Sequence, residues 1–341
     1  MILASLALAV ELPGPWTAGK YLDLALHESA VHAAWVEGDA LRYARADTTV
    51  PTETIATGVV SGDGGQMRPE ILVDKAGRPV IVFSTAAGAH VARREGERWT
   101  VAALGTTPGE VLFAATFRGA ALVVTWLAHD GGKSTVHVGT QRPREGGTYL
   151  GWSDTVFAGG ADGVCVCCKP AIHSRAEELV LAFRDADGPE REIRLMSSKE
   201  GSQWTDMGKQ THGKWAPGGC PADGPALTET TLLVSDARTG KRVIYEVSRQ
   251  GERALAPIDP SAEMLQPRAL PDGSLLSWVE ATPGMNRLVT RDGPSAPQVV
   301  AETSGRLEPG DPVVVGSDIW FPWQGDTAHL ERVETQAPPG F

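Results

Sequence analysis

No apolar run in the 341 residues approaches the roughly 18 needed to cross a bilayer as a helix, so no membrane span is expected. No stretch of real length carries helical spacing with caps, so helix content should be low. A basic excess is also missing. Lys and Arg number 31 against 42 Asp and Glu, a net charge of −11, which excludes a phosphate-gripping face and with it a nucleic-acid partner. The signatures G-x-S-x-G, H-E-x-x-H, a Walker loop and G-x-G-x-x-G between strand and helix are absent, leaving no standard catalytic motif. The glycine-rich Ser61–Gln66 (SGDGGQ) reads as a turn between strands. Cysteine and tyrosine are scarce, at four each.

Turn formers are abundant instead, with 39 Gly and 24 Pro and no fixed period, which argues for many short strands rather than a collagen-like chain. A hydrophobic fraction of 42% is enough to build a large core. Length alone fits two ordinary domains or one large β domain. A repeat decides between them. Apolar runs, most ending in Trp or Phe, are each followed by a polar turn and an alternating run. Their markers are Trp35, Phe83, Trp126, Phe183, Ser235, Trp278 and Trp323, about 48 residues apart on average. Each copy is preceded by another short apolar segment, and some are followed by a fourth. Four short antiparallel strands per repeat make the blade of a β-propeller, and a ring of blades covers both faces of every sheet. The expectation is an all-β, seven-bladed propeller over residues 10–335, with six blades as the alternative.

The last copy, Asp311 to Glu334, shows only three strands, and a segment near Leu6 to Leu12 is a candidate for its fourth. Met1 to Ala9 (MILASLALA) reads either as a signal peptide, although it lacks a basic n-region, or as an N-terminal closing strand. Residues 336–341 read as a frayed tail. Periplasmic or extracellular location is the expectation that follows from the export reading.

Met196–Trp204 (MSSKEGSQW) resembles the Asp-box of sialidase-like propellers, S-x-D-x-G-x-T-W, with Lys199 in the place of Asp and Gln203 in the place of Thr. CVCC at Cys165–Cys168, FRD at Phe183–Asp185, EREI at Glu190–Ile193, GCPADGPA at Gly219–Ala226 and DGSLLSWVE at Asp272–Glu280 are similar to segments of a group of exported bacterial proteins identified as sialidase-like or exo-alpha-sialidase-like. The resemblance covers about residues 160 to 280. It implies a sialidase-type propeller in which the Asp-box is a structural turn between outer strands.

A retaining sialidase needs three arginines on the substrate carboxylate, a Tyr–Glu nucleophile pair and an Asp acid/base. No Arg-Ile-Pro segment is present near the N-terminus, and Tyr43 and Tyr245 lie in alternating runs suited to a blade face. The catalytic candidates reduce to Arg184, Asp185 and Arg191. For Arg184 and Asp185 the competing reading is an exposed turn pair. The enzyme reading, an exo-alpha-sialidase-like glycoside hydrolase, therefore stands as an alternative to a non-catalytic propeller.

All four cysteines, Cys165, Cys167, Cys168 and Cys220, fall in one region. In a strand, Cys165 and Cys167 would face one way and Cys168 the other. A bridge between neighbours Cys167 and Cys168 would be strained, because disulfides favour Cα atoms about 5.5 Å apart. Cys220 is expected to bond one of the three, with the other two paired or reduced. One reading is two disulfides in an exported protein. Another is a thiolate site for copper or zinc, made by the four cysteines with His173. A redox-active vicinal pair is a third. Ligand-binding candidates at the same mouth of the ring are Lys169, His173, His212, Trp215 and Asp223. There Trp215 would either stack on a sugar or plug the ring. The expected partner is a glycan or other cell-surface ligand, bound by a monomer without a resident cofactor.

Overall fold

The computed structural model describes residues 19–45, 51–61, 66–105, 111–130, 132–142, 152–157, 159, 162–217, 222–315 and 317–334. They form seven antiparallel sheets, at 20–56, 70–103, 113–157, 171–209, 226–254, 263–303 and 308–334, and no helix occurs among the described residues. Among these residues no helix is long and apolar enough to cross a membrane. In six sheets the four strands pair in sequence order. The arrangement is a seven-bladed propeller, and the six-bladed alternative is set aside.

Second strands explain why the repeat was visible. Leu179–Arg184, Leu232–Asp236 and Asp318–Gln324 are buried at every position, without the alternation of a half-exposed strand. Both faces of such a strand are covered by neighbouring blades, so both must be apolar. Fourth strands show the opposite limit: Arg98–Ala103 and Gly251–Ala254 are almost wholly exposed.

Apolar packing is divided among the seven inter-blade interfaces. One buried cluster sits at each, for example Val123, Val136, Leu181 and Phe183 between blades 3 and 4, and Leu233, Met264, Trp278 and Val289 between blades 5 and 6. The ring closes where Leu22, Trp35 and Val31 of blade 1 meet Val315 and Trp320 of blade 7. There the Tyr21 amide also donates to Gln324 Oε1 at 2.7 Å.

Blade 7 is irregular at the axis. Its innermost strand is split into Glu308–Pro309 and Val313–Val315, both paired with Asp318–Gln324, and Ala328–Glu334 lies outside them. Three strand positions are thus filled, as the sequence suggested. The segments named as a fourth strand or signal peptide and the 336–341 tail lie outside the described residues. Arg68 enters the split and donates to the Pro309 carbonyl. Gly310 permits this approach, because a Cβ there would lie 2.7 Å from Arg68 Nη1 and 2.6 Å from Pro322 Cγ.

Trp278 is fully buried and donates to Glu280 Oε1 at 3.2 Å, while Val299 on the fourth strand of the same blade is 42% exposed. Trp278→Ala is expected to cost about 3–5 kcal/mol in denaturant unfolding, and Val299→Thr less than about 0.5 kcal/mol. Equal effects would contradict the inside-to-outside gradient of the blades.

Candidate functional site

Segments leading into blades 2, 4 and 5 converge at one mouth of the ring with the turn after the second strand of blade 4. Residues 163–165 are held between blades 3 and 4. The Val164 amide donates to Ser134 O at 3.1 Å and the Cys165 amide to Arg184 O at 2.9 Å. Gly163 is required at this crossing: its φ is 89°, and a Cβ would meet Ser134 O at 2.6 Å.

The CVCC segment is a turn in the connection before blade 4, so the alternation of a strand does not apply to it. Gln66 holds it from blade 2's approach, its Nε2 donating to Cys167 O at 2.9 Å and its Oε1 accepting from the Lys169 amide at 2.7 Å. The turn cancels the strand parity that would have sent Cys168 to the opposite side. The sulfurs of Cys165, Cys167 and Cys168 lie within 4.8 Å of one another, and the Cys165 and Cys167 sulfurs are 3.4 Å apart. Cys165 and Cys168 are buried free thiols, so a second disulfide using them is not formed, whereas Cys167 is not free. Cys220 lies outside the described residues.

A pocket of about 490 Å³ opens beside the turn, lined in part by His129, Ser134, Asp162, Cys165, Cys167 and Arg191. The Cys165 thiol is lowered to about 6, chiefly by a hydrogen bond from the Cys168 thiol. Burial opposes this, and the Cys167 amide and the charges of Arg184 and Arg191 reinforce it. Burial, followed by the same hydrogen bond, pushes Cys168 well up. The pair therefore divides into a thiolate and a thiol at neutral pH.

The residues proposed from sequence separate into different roles. Arg184 is 1% exposed, and it donates to the carbonyls of Arg191, Asp223 and Ser235 at 3.0, 3.2 and 3.1 Å. Asp185 is fully buried and ion-paired to Arg194 at 3.0 Å. Neither residue belongs to an exposed turn pair, because the second strand that ends with Arg184 is covered on both sides. Arg191 lines the pocket and donates to the carbonyls of Gly188 and Glu190.

Trp215 is 8% exposed, with the guanidinium carbons of Arg184 and Arg242 at 5.1 and 5.8 Å from its ring, so it fills the space between them. Asp223 is 1% exposed and accepts the Gln266 amide at 3.0 Å, joining blades 5 and 6. Burial pushes its carboxyl up. His212 is exposed. Lys169 and His173 face the channel along the ring axis. Lys169 Nζ lies 3.3 Å from Glu70 Oε1, and His173 Nε2 lies 3.5 Å from Glu229 Oε2. Burial lowers the His173 imidazole. His173 is not part of the group able to share one ion, which among the described residues is the cysteine trio.

Sequence reasoning missed Gln66, treated as part of a turn, and the axial charges Asp23, Arg68, Glu70, Arg268 and Asp311. The available signal was an ionisable residue in or beside an otherwise apolar innermost strand, as in LDLALH and PEILVD.

No family model and no curated protein matches the chain. Among solved structures, a Mycobacterium tuberculosis puromycin-hydrolyzing peptidase aligns with TM-score 0.59 and 16% identity over 95% of this chain and 54% of that one. The Pyrococcus horikoshii acylaminoacyl peptidase aligns with TM-score 0.54 and 9% identity over 94% and 53%. This chain spans about half the length of these peptidases. A subtype N10 neuraminidase-like protein of A/little yellow-shouldered bat/Guatemala/060/2010 aligns with TM-score 0.49 and 9% identity over 94% and 95%. The similarity to the two peptidases, at these identities, shows the fold alone.

Because the Cys168 hydrogen bond is the largest cause of the low Cys165 pKa, Cys168→Ala should move the midpoint of Cys165 alkylation upward from about 6. Rates measured against pH on the oxidised protein, with peptide mapping of the alkylated site, read this directly. An unchanged midpoint would show that the thiol pair does not set the charge.

Proposed function

We propose that this propeller is an exported, non-catalytic binding protein whose mouth site takes a soft metal ion, Cu(I) in particular, on Cys165, Cys167 and Cys168. The observation that carries the reading is the convergence of three sulfurs within 4.8 Å at a pocket. Thiolates select soft ions, and three sulfurs suit Cu(I) better than the four-ligand sites usual for structural zinc. The engagement of Arg184 and Asp185 and the burial of Trp215 favour this over sialoside hydrolysis or sugar stacking at the same mouth.

The metal-binding form in this reading is the reduced one. Cys167 is disulfide-bonded, so that bridge must be reduced before the ion can bind. Such a bridge fits an oxidising compartment. The test is to reduce the protein anaerobically, remove the reductant, and titrate with Cu(I) against a chromogenic chelator. About one ion retained per chain, lost in Cys165→Ser and in Cys168→Ser, is expected. A reduced wild-type protein that retains no copper overturns the proposal.

A second reading rests on the 3.4 Å contact between the free Cys165 sulfur and the bonded Cys167 sulfur. Attack by the Cys165 thiolate on the Cys167 sulfur would form a Cys165–Cys167 bond and release the sulfur previously bonded to Cys167 as a thiolate, with no change in overall oxidation state. Non-reducing peptide mapping after incubation at neutral pH should then find both bridges. A bridge at Cys167 that never redistributes to Cys165 removes this reading.

A further inference from the structure

We propose that the cavity on the ring axis is a binding site for a small organic cation, an alkyl amine or a guanidine. It is separate from the cysteine pocket and shares no lining residue with it. The cavity has a volume of about 300 Å³ and is walled by residues at the innermost strands of all seven blades. Its charged groups are Asp23 of blade 1, Glu70 of blade 2, Lys169 before blade 4, Arg268 of blade 6 and Asp311 of blade 7.

The two cations already have anions. Lys169 Nζ is 3.3 Å from Glu70 Oε1, and Arg268 Nε is 3.3 Å from Asp311 Oδ1. The acceptors that remain are on neighbouring blades. Asp23 is 3% exposed, and its Oδ2 accepts the Ile71 amide at 2.8 Å, while its Oδ1 has no partner. Glu70, the residue next to Ile71, has an unpartnered and buried Oε2. Two acceptor oxygens without donors thus belong to residues that line one cavity, where Asp23, Glu70 and Asp311 are matched in charge by Lys169, Arg268 and the adjoining Arg68. Buried carboxylate oxygens without donors are costly, and a group bringing both N–H donors and positive charge relieves the shortage. An ammonium supplies three donors and a guanidinium five.

A divalent metal ion fits less well. Calcium takes six to eight oxygens, yet among the described residues no three carboxylate or imidazole ligand atoms converge within 4.8 Å, the cysteine trio being the group that does. An anionic ligand would bring no donors to these two oxygens. The volume lies at the lower end for ligand sites, suiting a molecule on the order of ten heavy atoms. Asp311 has a side chain 45% exposed, so the cavity is open to solvent on that side.

Protonation of Asp23 gives the site a pH signature. Its carboxyl is raised to about 7, first by burial and then by the Asp311 charge, and the Glu70 charge adds to this. The Ile71 amide and Arg68 oppose the rise; Lys169 and Arg268 are the other charges on the cavity wall, and His173, its imidazole lowered by burial, is the remaining titratable group there. A cation needs the ionised form, so its affinity should fall about tenfold from pH 8 to pH 6.

The experiment is calorimetric titration of the full chain with agmatine and with 1,4-diaminobutane, using 1,4-butanediol as the uncharged control. One saturable site for at least one amine and none for the diol are expected at pH 8. Affinity should weaken at least tenfold in Asp23→Asn and in Glu70→Gln and remain unchanged in Cys165→Ser, which separates this site from the cysteine pocket. Circular dichroism identifies any variant that fails to fold, and the other carboxylate variant then carries the comparison. Absence of binding by both amines, which leaves water as the occupant, overturns the proposal. So does binding that folded Asp23→Asn and Glu70→Gln leave unchanged.

Discussion

Every blade is a sheet with two apolar faces, and only its neighbours can cover both. The rest of the structure depends on this requirement. The seven apolar clusters lie at the seven inter-blade interfaces, so the final contact of blade 7 with blade 1, through Trp320, Val315, Leu22 and Trp35, covers faces that would otherwise meet water. The same geometry leaves a hole along the axis. Innermost strands cannot pack across it as they pack sideways, and polar side chains such as Asp23, Glu70 and Lys169 occupy its wall.

Legibility in the sequence follows from this constraint. A second strand buried on both faces produces a run that is apolar save at most for a small hydroxyl residue, and VVTW, VLAF and LLSW stand out for that reason. The blade number could be counted from such runs without any helix or loop being placed. The site was less legible because its geometry is set by partners far away in the chain. Alternation along CVCC predicts opposite directions for Cys167 and Cys168. The turn that brings them together is held by Gln66, 101 residues before Cys167. No local pattern in either segment encodes that contact. The axial charges were obscured similarly, since each lies in a different blade and looks like an isolated polar residue within a short apolar strand.

Arg184 shows how burial reverses a functional reading. An Arg-Asp pair at the end of an inner strand has the composition of a substrate clamp, and position in the ring decides otherwise. With three carbonyls as acceptors and the Trp215 ring alongside, the guanidinium cross-links blade 4 to the segments entering blade 5. Its charge nevertheless reaches the mouth, where with Arg191 it favours the Cys165 thiolate against the cost of burial. A structural cation thus tunes a neighbouring sulfur without contacting a ligand.

The cysteine turn and the axial cavity meet at one peptide. Cys168 directs a buried thiol toward Cys165, and the next residue, Lys169, sends its ammonium to Glu70 in the channel. Gln66 fixes the backbone at that junction by bonding the carbonyl before it and the amide after it. Gly224 allows the chain entering blade 5 to pass beside it, since a Cβ there would lie 2.2 Å from Lys169 O. The direction of the sulfurs and the pairing of Glu70 are therefore set by one backbone conformation. Loss of the Gln66 contacts would disturb both regions together, although they share no lining residue. That coupling is a consequence of the ring: segments entering successive blades have one narrow mouth in which to turn, and the chemistry they carry is crowded into it.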